Sequence, residues 1–518
     1  MIGAAGIESR RRLRTDHVAC SRIFVLAALL GTAPAFAQTW RIIPSISVAE
    51  TLTDNVSLAP DNRKESDLIT QVSPGVAVQR TSGRVKLNLN YRATGLFYAK
   101  NSDQNDIQNY LDAAGTLEAV ENWLFVDASA NVSQQAFSAF GAQSNLASEN
   151  INANRAETLT YRVSPYVRGR FGNTADYELR YSLSGSKVRG NELGEATVEE
   201  WGGRITGRES PMGFGWALAA SYNVAHADEA RDVSSRRVNG SLSYRFDPQV
   251  RVSALAGWES NNYSATDDSS AATYGAQLEW TPTERTRINA LAERRPFTNT
   301  HQIGITHRTR LTAWQFSDSK SVTTLPAQLA VAQLGTAFDL LFNALATRFP
   351  DPIQRAAEVD RQLRLNGIPR DLALATSFLS SQAFVQRARQ LSVAILGVRN
   401  TVTLAASLVE SRAIETGSPL AGDFSTTSEV EQRSLTANWA HQMSAVTTMN
   451  LLATHTRSTG ASGTGPETTE KSARLLLTHQ LSPKTSGSIG LRYIRFDSTT
   501  ADDFREKAIT GTLLVRFY

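Results

Sequence analysis

A strict two-residue alternation of side-chain character constrains this chain more than any other feature. Val85, Leu87, Leu89, Tyr91 and Ala93 alternate with Lys86, Asn88, Asn90, Arg92 and Thr94. In an extended backbone successive side chains point to opposite faces, so the pattern describes a strand with one apolar and one polar face. It recurs along the chain. Leu159, Tyr161, Val163 and Val167 alternate with Thr160, Arg162, Ser164 and Arg168, and Tyr177, Leu179, Tyr181 and Leu183 with Glu178, Arg180, Ser182 and Ser184. Further cases lie at 214–222, 238–246, 250–258 and 274–280, then at 435–439, 449–453, 473–481 and 489–493.

The connections between these segments fall into two kinds. Thr81 to Arg84, Glu121-Asn122, Gly172 to Thr174, Asp247 to Gln249, Pro282 to Glu284 and Ser482 to Thr485 are short. The intervening ones are long and polar: Asp54 to Ser66, Asn101 to Gln108, Gln135 to Ala156, Ser260 to Ala271, Glu410 to Glu431 and Arg457 to Glu470. Short turns at one end and long loops at the other predict an all-β, transmembrane, antiparallel up-and-down barrel of about 22 strands, within a range of about 18–24. A barrel this wide cannot fill its interior with side chains, so its apolar face must meet lipid and its polar face must line a lumen. The chain ends Ala508 to Tyr518, with Ile509, Leu513, Val515 and Phe517 on one face and Tyr518 one residue beyond. A last strand of this kind needs a neighbour, which closure onto the first strand supplies. It resembles the terminal assembly signal of bacterial outer-membrane barrels, and implies the barrel assembly machinery as a partner.

Residues 1–37 read as a signal peptide. Arg10, Arg11, Arg12, Arg14 and Arg22 lead into the apolar run 23–30, and Ala35-Phe36-Ala37 has the small-x-small form of a cleavage site. Cys20, the one cysteine, falls in this segment, so disulfides and thiolate-bound metals are excluded after cleavage. The segment holds those arginines against Glu8 and Asp16, a net +3 of the whole-chain +4, which leaves about +1 and gives no reason to expect nucleic acid. No apolar run of membrane-helix length follows. Trp123, Trp201, Trp216, Trp258, Trp280, Trp314 and Trp439 are candidates for interfacial girdles.

Between 325 and 390 the period changes to a helical one, dividing the barrel into 38–324 and 391–518. Leu325, Leu329, Ala332, Ala337, Leu340, Leu341 and Leu345 suit a first helix ending at Phe349-Pro350. Asp351-Pro352 opens a second that closes at Asn366-Gly367, and 369–380 reads as a third. If the strand count holds, the insert starts outside; it is then a plug, a cap or a gate.

Glu50-Thr51-Leu52-Thr53-Asp54-Asn55, Thr306-His307-Arg308-Thr309, the Phe349-Pro350-Asp351 to Gly367-Ile368-Pro369 insert and the Arg399-Asn400 hairpin resemble the PEP-CTERM system-associated outer-membrane proteins. The resemblance covers nearly all of the chain after the signal peptide. It implies an outer-membrane barrel associated with exosortase and exopolysaccharide production, with no assigned catalytic residues.

The polar face carries Arg92, Arg162, Arg168, Arg180, Arg251, Arg287 and Arg492, among Glu178, Glu279 and Glu293. Guanidinium forks match carboxylates and phosphates, so an acidic polysaccharide is a candidate passenger. The alternative is that these arginines pair with the carboxylates and only hydrate the lumen. A hydrolase is the competing class, and it needs a base within reach of a nucleophile. His226 with Asp228 and Glu229 in an extracellular loop lacks a spaced nucleophile, His441 and His479 lie near periplasmic ends, and no HExxH or glycine-rich phosphate loop is present. The expectation is a non-enzymatic outer-membrane barrel without cofactors. It contacts outer-membrane lipid, and acts as a channel or secretion component with envelope secretion proteins as further candidate partners. A structural or adhesive surface role, supported by the Ser/Thr/Asn/Gly-rich loops, is the alternative.

Overall fold

The computed structural model describes residues 40–517 apart from 81–82, 143–145, 190–194, 211–212, 228–229, 264–268, 415–421, 462–464 and most of 324–383. The signal segment 1–37 and Tyr518 lie outside the described residues. The first eleven strands are β1 (Arg41–Thr53), β2 (Asp67–Arg80), β3 (Val85–Tyr98), β4 (Asp106–Val120), β5 (Leu124–Gln135), β6 (Ala156–Phe171), β7 (Ala175–Arg189), β8 (Glu195–Gly207), β9 (Phe214–Ala227), β10 (Ala230–Arg245) and β11 (Val250–Asn261). The remainder are β12 (Ser269–Thr283), β13 (Thr286–Arg294), β14 (Thr300–Arg308), β15 (Thr312–Thr323), β16 (Phe384–Leu396), β17 (Asn400–Ala413), β18 (Glu429–Gln442), β19 (Thr447–Gly460), β20 (Glu467–Ser482), β21 (Thr485–Ser498) and β22 (Phe504–Arg516).

All 22 strands belong to one sheet in which each strand pairs with its chain neighbours. The ring closes where β22 pairs antiparallel with β1, from Ser45 opposite Arg516 to Thr53 opposite Ala508. Closure leaves no open edge, so every strand finds both hydrogen-bonding partners inside the wall, as a lipid environment requires. The Phe517 amide extends the seam by donating to the Pro44 carbonyl at 2.9 Å.

Exposure alternates with the sequence period. Leu475, Leu477, Ile489, Leu491, Ile509 and Leu513 face out and are exposed, whereas Ile494, Phe496, Phe504 and Ala508 on the other face are buried. An outer face of exposed apolar side chains is the inverse of a water-soluble barrel's, and it places them against lipid. Trp123, Trp216, Trp280, Trp314 and Trp439 are exposed within a few residues of the short turns, forming a girdle at that end. The short turns reverse tightly with Asn122 and Gly172 at φ 56° and 53°, a left-handed conformation that suits glycine and asparagine.

Two expectations need correction. Glu410 to Glu431 and Arg457 to Glu470 are not loops throughout, because β17 and β18 run to Ala413 and from Glu429, and β19 and β20 to Gly460 and from Glu467. Where strands project beyond the apolar band their outward face turns polar, as at Glu429, Glu431, Arg457 and Glu467, so hydropathy alternation fades while the ladder continues. The three-helix insert is likewise reduced. Among the described residues it holds one helix, α1 (Pro352–Leu365), with Phe338, Leu341 and Phe342 in helical backbone. The rest of the expected first and third helices lies outside the described residues, and 384–390 belongs to β16. There Phe384-Val385-Gln386-Arg387-Ala388-Arg389-Gln390 has no apolar alternation to mark it as strand, and it is the pairing with β15 and β17 that holds it extended.

Candidate functional site: the lumen and its mouth

The long connection after β5 does not stand in solvent. It bends inward across the long-loop end of the barrel. Ala139 and Phe140 pack with Phe384, Phe424 and Val430. Ile151 packs against Val56, Ile69, Leu96 and Tyr98, and Ala147 joins Ile494, Phe496 and Phe504. β5 and β16 are eleven positions apart in a ring of 22, so the segment reaches the opposite wall. Its scattered apolar residues Ala139, Phe140, Ala142, Ala147 and Ile151, in an otherwise polar stretch, were the signal available in the sequence.

A buried ion-pair network holds this segment. Arg492 is 8% exposed and donates to Glu149 at 2.5 Å and to Glu506 at 2.7 and 3.1 Å, with further bonds to Asn150 Oδ1 and the Leu146 carbonyl. Thr53 donates to the same Glu506 at 2.8 Å, and Asn150 reaches the Asn55 carbonyl at 3.2 Å. The Glu50 to Asn55 stretch therefore anchors the folded-in loop, with Asn55 itself bonded to Ala59 and Arg505 carbonyls. At the other end Asp423 accepts from Ser138 Oγ and the Ala139 amide, each at 2.6 Å. Burial outweighs these two bonds and pushes the Asp423 carboxyl above the usual aspartate range. Glu149, Asn150, Asp423 and Glu506 were not singled out from sequence, because their roles arise from contacts hundreds of residues apart.

Helix α1 also belongs to the interior. Its Val359 and Leu363, with Leu341 and Leu345, form a buried cluster with Ala394 and Ala405, packed by Leu396. Leu391, Ile395 and Leu404 on these strands are exposed to the outside, so Ala394, Leu396 and Ala405 face the lumen. Leu396 borders a short turn, so these described residues of the insert lie against the lumenal wall near the short-turn end.

The wall formed by β3–β7 presents arginines beside aromatic rings. Arg168 lies 4.2 Å from the Phe125 ring centroid, Arg180 lies 3.8 Å from that of Tyr166, and Arg92 lies 4.5 Å from that of Tyr110. Phe125 and Tyr166 stack at 5.2 Å. Arg180 also pairs with Asp127 and Glu178 at 2.9 and 3.1 Å. Arg162 donates to Ser182 and lies 3.7 Å from Glu200. A cavity of about 440 Å³ opens beside them, with Lys86, Asn88, Thr116, Asp127, Ser129 and Arg162 in its lining. Elsewhere Arg251 pairs with Glu209 and Glu279, Arg287 is exposed on β13, and Arg237 pairs with Glu293. The seven arginines expected to line the lumen are thus dispersed. Arg92, Arg162, Arg168 and Arg180 share one wall, Arg251 and Arg287 lie further round, and Arg492 is consumed in the loop anchor.

The histidines are distributed around the ring. His226 lies in β9, not in a loop, and sits 2.8 Å from Asp232; Asp228 and Glu229 are outside the described residues. His301 contacts Asp318, His307 contacts Thr286, His441 contacts Asn400 and His479 contacts Thr447. Among the described residues no three His, Cys, Asp or Glu side chains converge as a metal site, and no helix is long and apolar enough to cross a membrane.

A closed 22-stranded antiparallel barrel with a lipid-facing apolar exterior is an outer-membrane β-barrel, and the bacterial outer membrane is where this chain resides. No protein-family profile matches the chain, and no curated protein matches it. Among solved structures it is similar to the siderophore receptor PirA from Acinetobacter baumannii, at 8% identity and TM-score 0.46, covering 92% of this chain and 80% of that one. It is also similar to the FrpB iron transporter from Neisseria meningitidis (F5-1 variant), at 8% identity and TM-score 0.49, covering 93% and 81%. The outer-membrane protein opdK from Pseudomonas aeruginosa aligns at 10% identity and TM-score 0.33, over 92% and 99%.

Proposed function

We propose that this barrel is a non-enzymatic channel or secretion component for an acidic extracellular polymer, working with the exopolysaccharide and PEP-CTERM surface system that its sequence motifs resemble. The observation that carries the reading is the β3–β7 wall, where arginines and aromatic rings alternate beside a lumenal cavity. Guanidinium groups bind carboxylates or phosphates through paired N–H donors, and aromatic faces supply flat contact for sugar rings. An acidic polysaccharide carries both chemistries. The loop 136–155 and helix α1 then serve as an internal plug whose displacement admits the chain.

The test is conductance of the refolded barrel in a planar bilayer, for the full chain and for a variant lacking residues 325–383. Large conductance after deletion, reduced by an added uronic-acid polymer but not by a neutral glucan, is the expected result. Conductance indifferent to both polymers rejects the acidic-polymer assignment. Little conductance in either form, together with undiminished polymer secretion but lost cell aggregation in a deletion strain, replaces transport with a surface-adhesion role.

A further inference from the structure

The outward face of the closing strands carries a row of cations that the lumen does not use. Cross-strand register sets His455 of β19 opposite Lys471 of β20, Lys471 opposite Arg495 of β21, and Arg495 opposite Arg505 of β22. Directly paired residues share a face of the sheet. Here it is the outer face, because the same strands expose Leu475, Leu491 and Ile509 along it. The next row toward the short turns is Ala453, Ala473, Tyr493 and Lys507, and below it lie Leu451, Leu475, Leu491 and Ile509. The cations therefore stand immediately above the lipid-facing band. Arg457 and its partner Arg433 continue the patch toward β18.

Like charges set directly opposite destabilise a sheet, and the neighbouring acids relieve this only in part. Asp497 bonds Arg495 at 2.9 Å, Glu467 bonds Arg457 at 2.8 Å, Glu431 bonds Arg433 at 2.6 Å, and Asp61 is 3.9 Å from Arg505. Lys471 and Lys507 are exposed and make no ion pair among the described residues. Four strands at about 4.8 Å spacing give a row roughly 15 Å long, more than one free phosphate ion can span.

We propose that this row is a binding site for the phosphate groups of phosphorylated lipids in the outward leaflet. The argument rests on position and charge together. A cationic strip at the top of an apolar band meets the headgroup layer, where its guanidinium forks and ammonium groups have anionic partners while the residues below them stay in acyl chains. It is independent of what, if anything, passes through the lumen.

The refolded wild-type barrel and a Lys471→Ala/Arg495→Ala/Arg505→Ala variant are titrated with bis-phosphorylated lipid A, with the same lipid after phosphatase treatment, and with inorganic phosphate. Bound lipid is counted by native mass spectrometry. Wild type is expected to retain the phosphorylated lipid and lose it when the phosphates are removed. The triple variant should bind about a hundredfold more weakly, at about fivefold per basic side chain beside an anionic membrane surface. Equal retention of dephosphorylated lipid, or full competition by inorganic phosphate at the same concentration, overturns the proposal. Should the triple variant not fold, Lys471→Glu alone, at an exposed position, is read in the same assay; unchanged binding by that variant counts against the site.

Discussion

Arg492 shows why one side chain can decide the state of a lumen. It is buried, and its guanidinium satisfies Glu149 of the folded-in loop and Glu506 of the wall at once. Removing one member of such a network leaves buried carboxylates without a counter-charge, which typically costs about 3–5 kcal/mol. Arg492→Ala should therefore lower the unfolding free energy measured in urea by that order and raise open-channel conductance. Glu149→Gln, which keeps hydrogen-bonding capacity, should do less of both. Asp423 supplies a second, pH-dependent fastening. Its carboxyl titrates above the ordinary 3.8 because burial disfavours the anion, so the native state holds the proton more tightly than the unfolded chain does. Its contribution is complete below the unfolded pKa and declines as pH rises through the higher native value. Unfolding midpoints of wild type relative to Asp423→Asn should fall over that interval, and a flat difference across it removes Asp423 from the docking of the loop.

At the scale of elements, the two inward connections have separable roles. The 136–155 segment crosses the long-loop end and touches both walls, whereas α1 lies against the lumenal face of β16 and β17. Shortening 136–155 to a four-residue turn should raise conductance and leave the β16–β17 wall intact. Deletion of 325–383 should widen only the passage beside that wall, and single-channel recordings of the two variants distinguish them. The strands themselves were legible in the sequence, because the Leu475, Leu477 and Leu481 spacing states which face meets lipid. The fate of the connections was not. Gln135 to Ala156 reads as an outside loop because its few scattered apolar residues, such as Phe140 and Ile151, have no period that tells an inward bend from an outward one; the decision rests on Arg492, Glu506 and Asn55, which are remote in the chain. Polar strand ends such as 467–470 were read as loop for a related reason, since hydrogen-bond ladders beyond the membrane leave no hydropathy signature.

Across the whole molecule, depth in the bilayer sets the cost of a charge. Strands such as β20, with 16 residues, are longer than the 9–11 residues a tilted crossing requires, so part of each wall stands above the apolar band. A cation there meets headgroups or water, and one lower down meets acyl chains. Leu491 lies near the centre of β21 and is 48% exposed on the outer face. Arg495, four residues further along the same strand and on the same face, is native there. Leu491→Arg should thus destabilise the barrel by about 2–4 kcal/mol, the cost of an arginine at the midplane of an outer-membrane barrel. Thr469→Arg, which pairs with Asp497 and Arg457 above the band, should change stability by less than about 1 kcal/mol. Reversible urea unfolding in lipid vesicles measures both. Equal costs at the two positions would mean that the apolar band extends past the cation row, and would lower that row from the headgroup layer into the acyl chains.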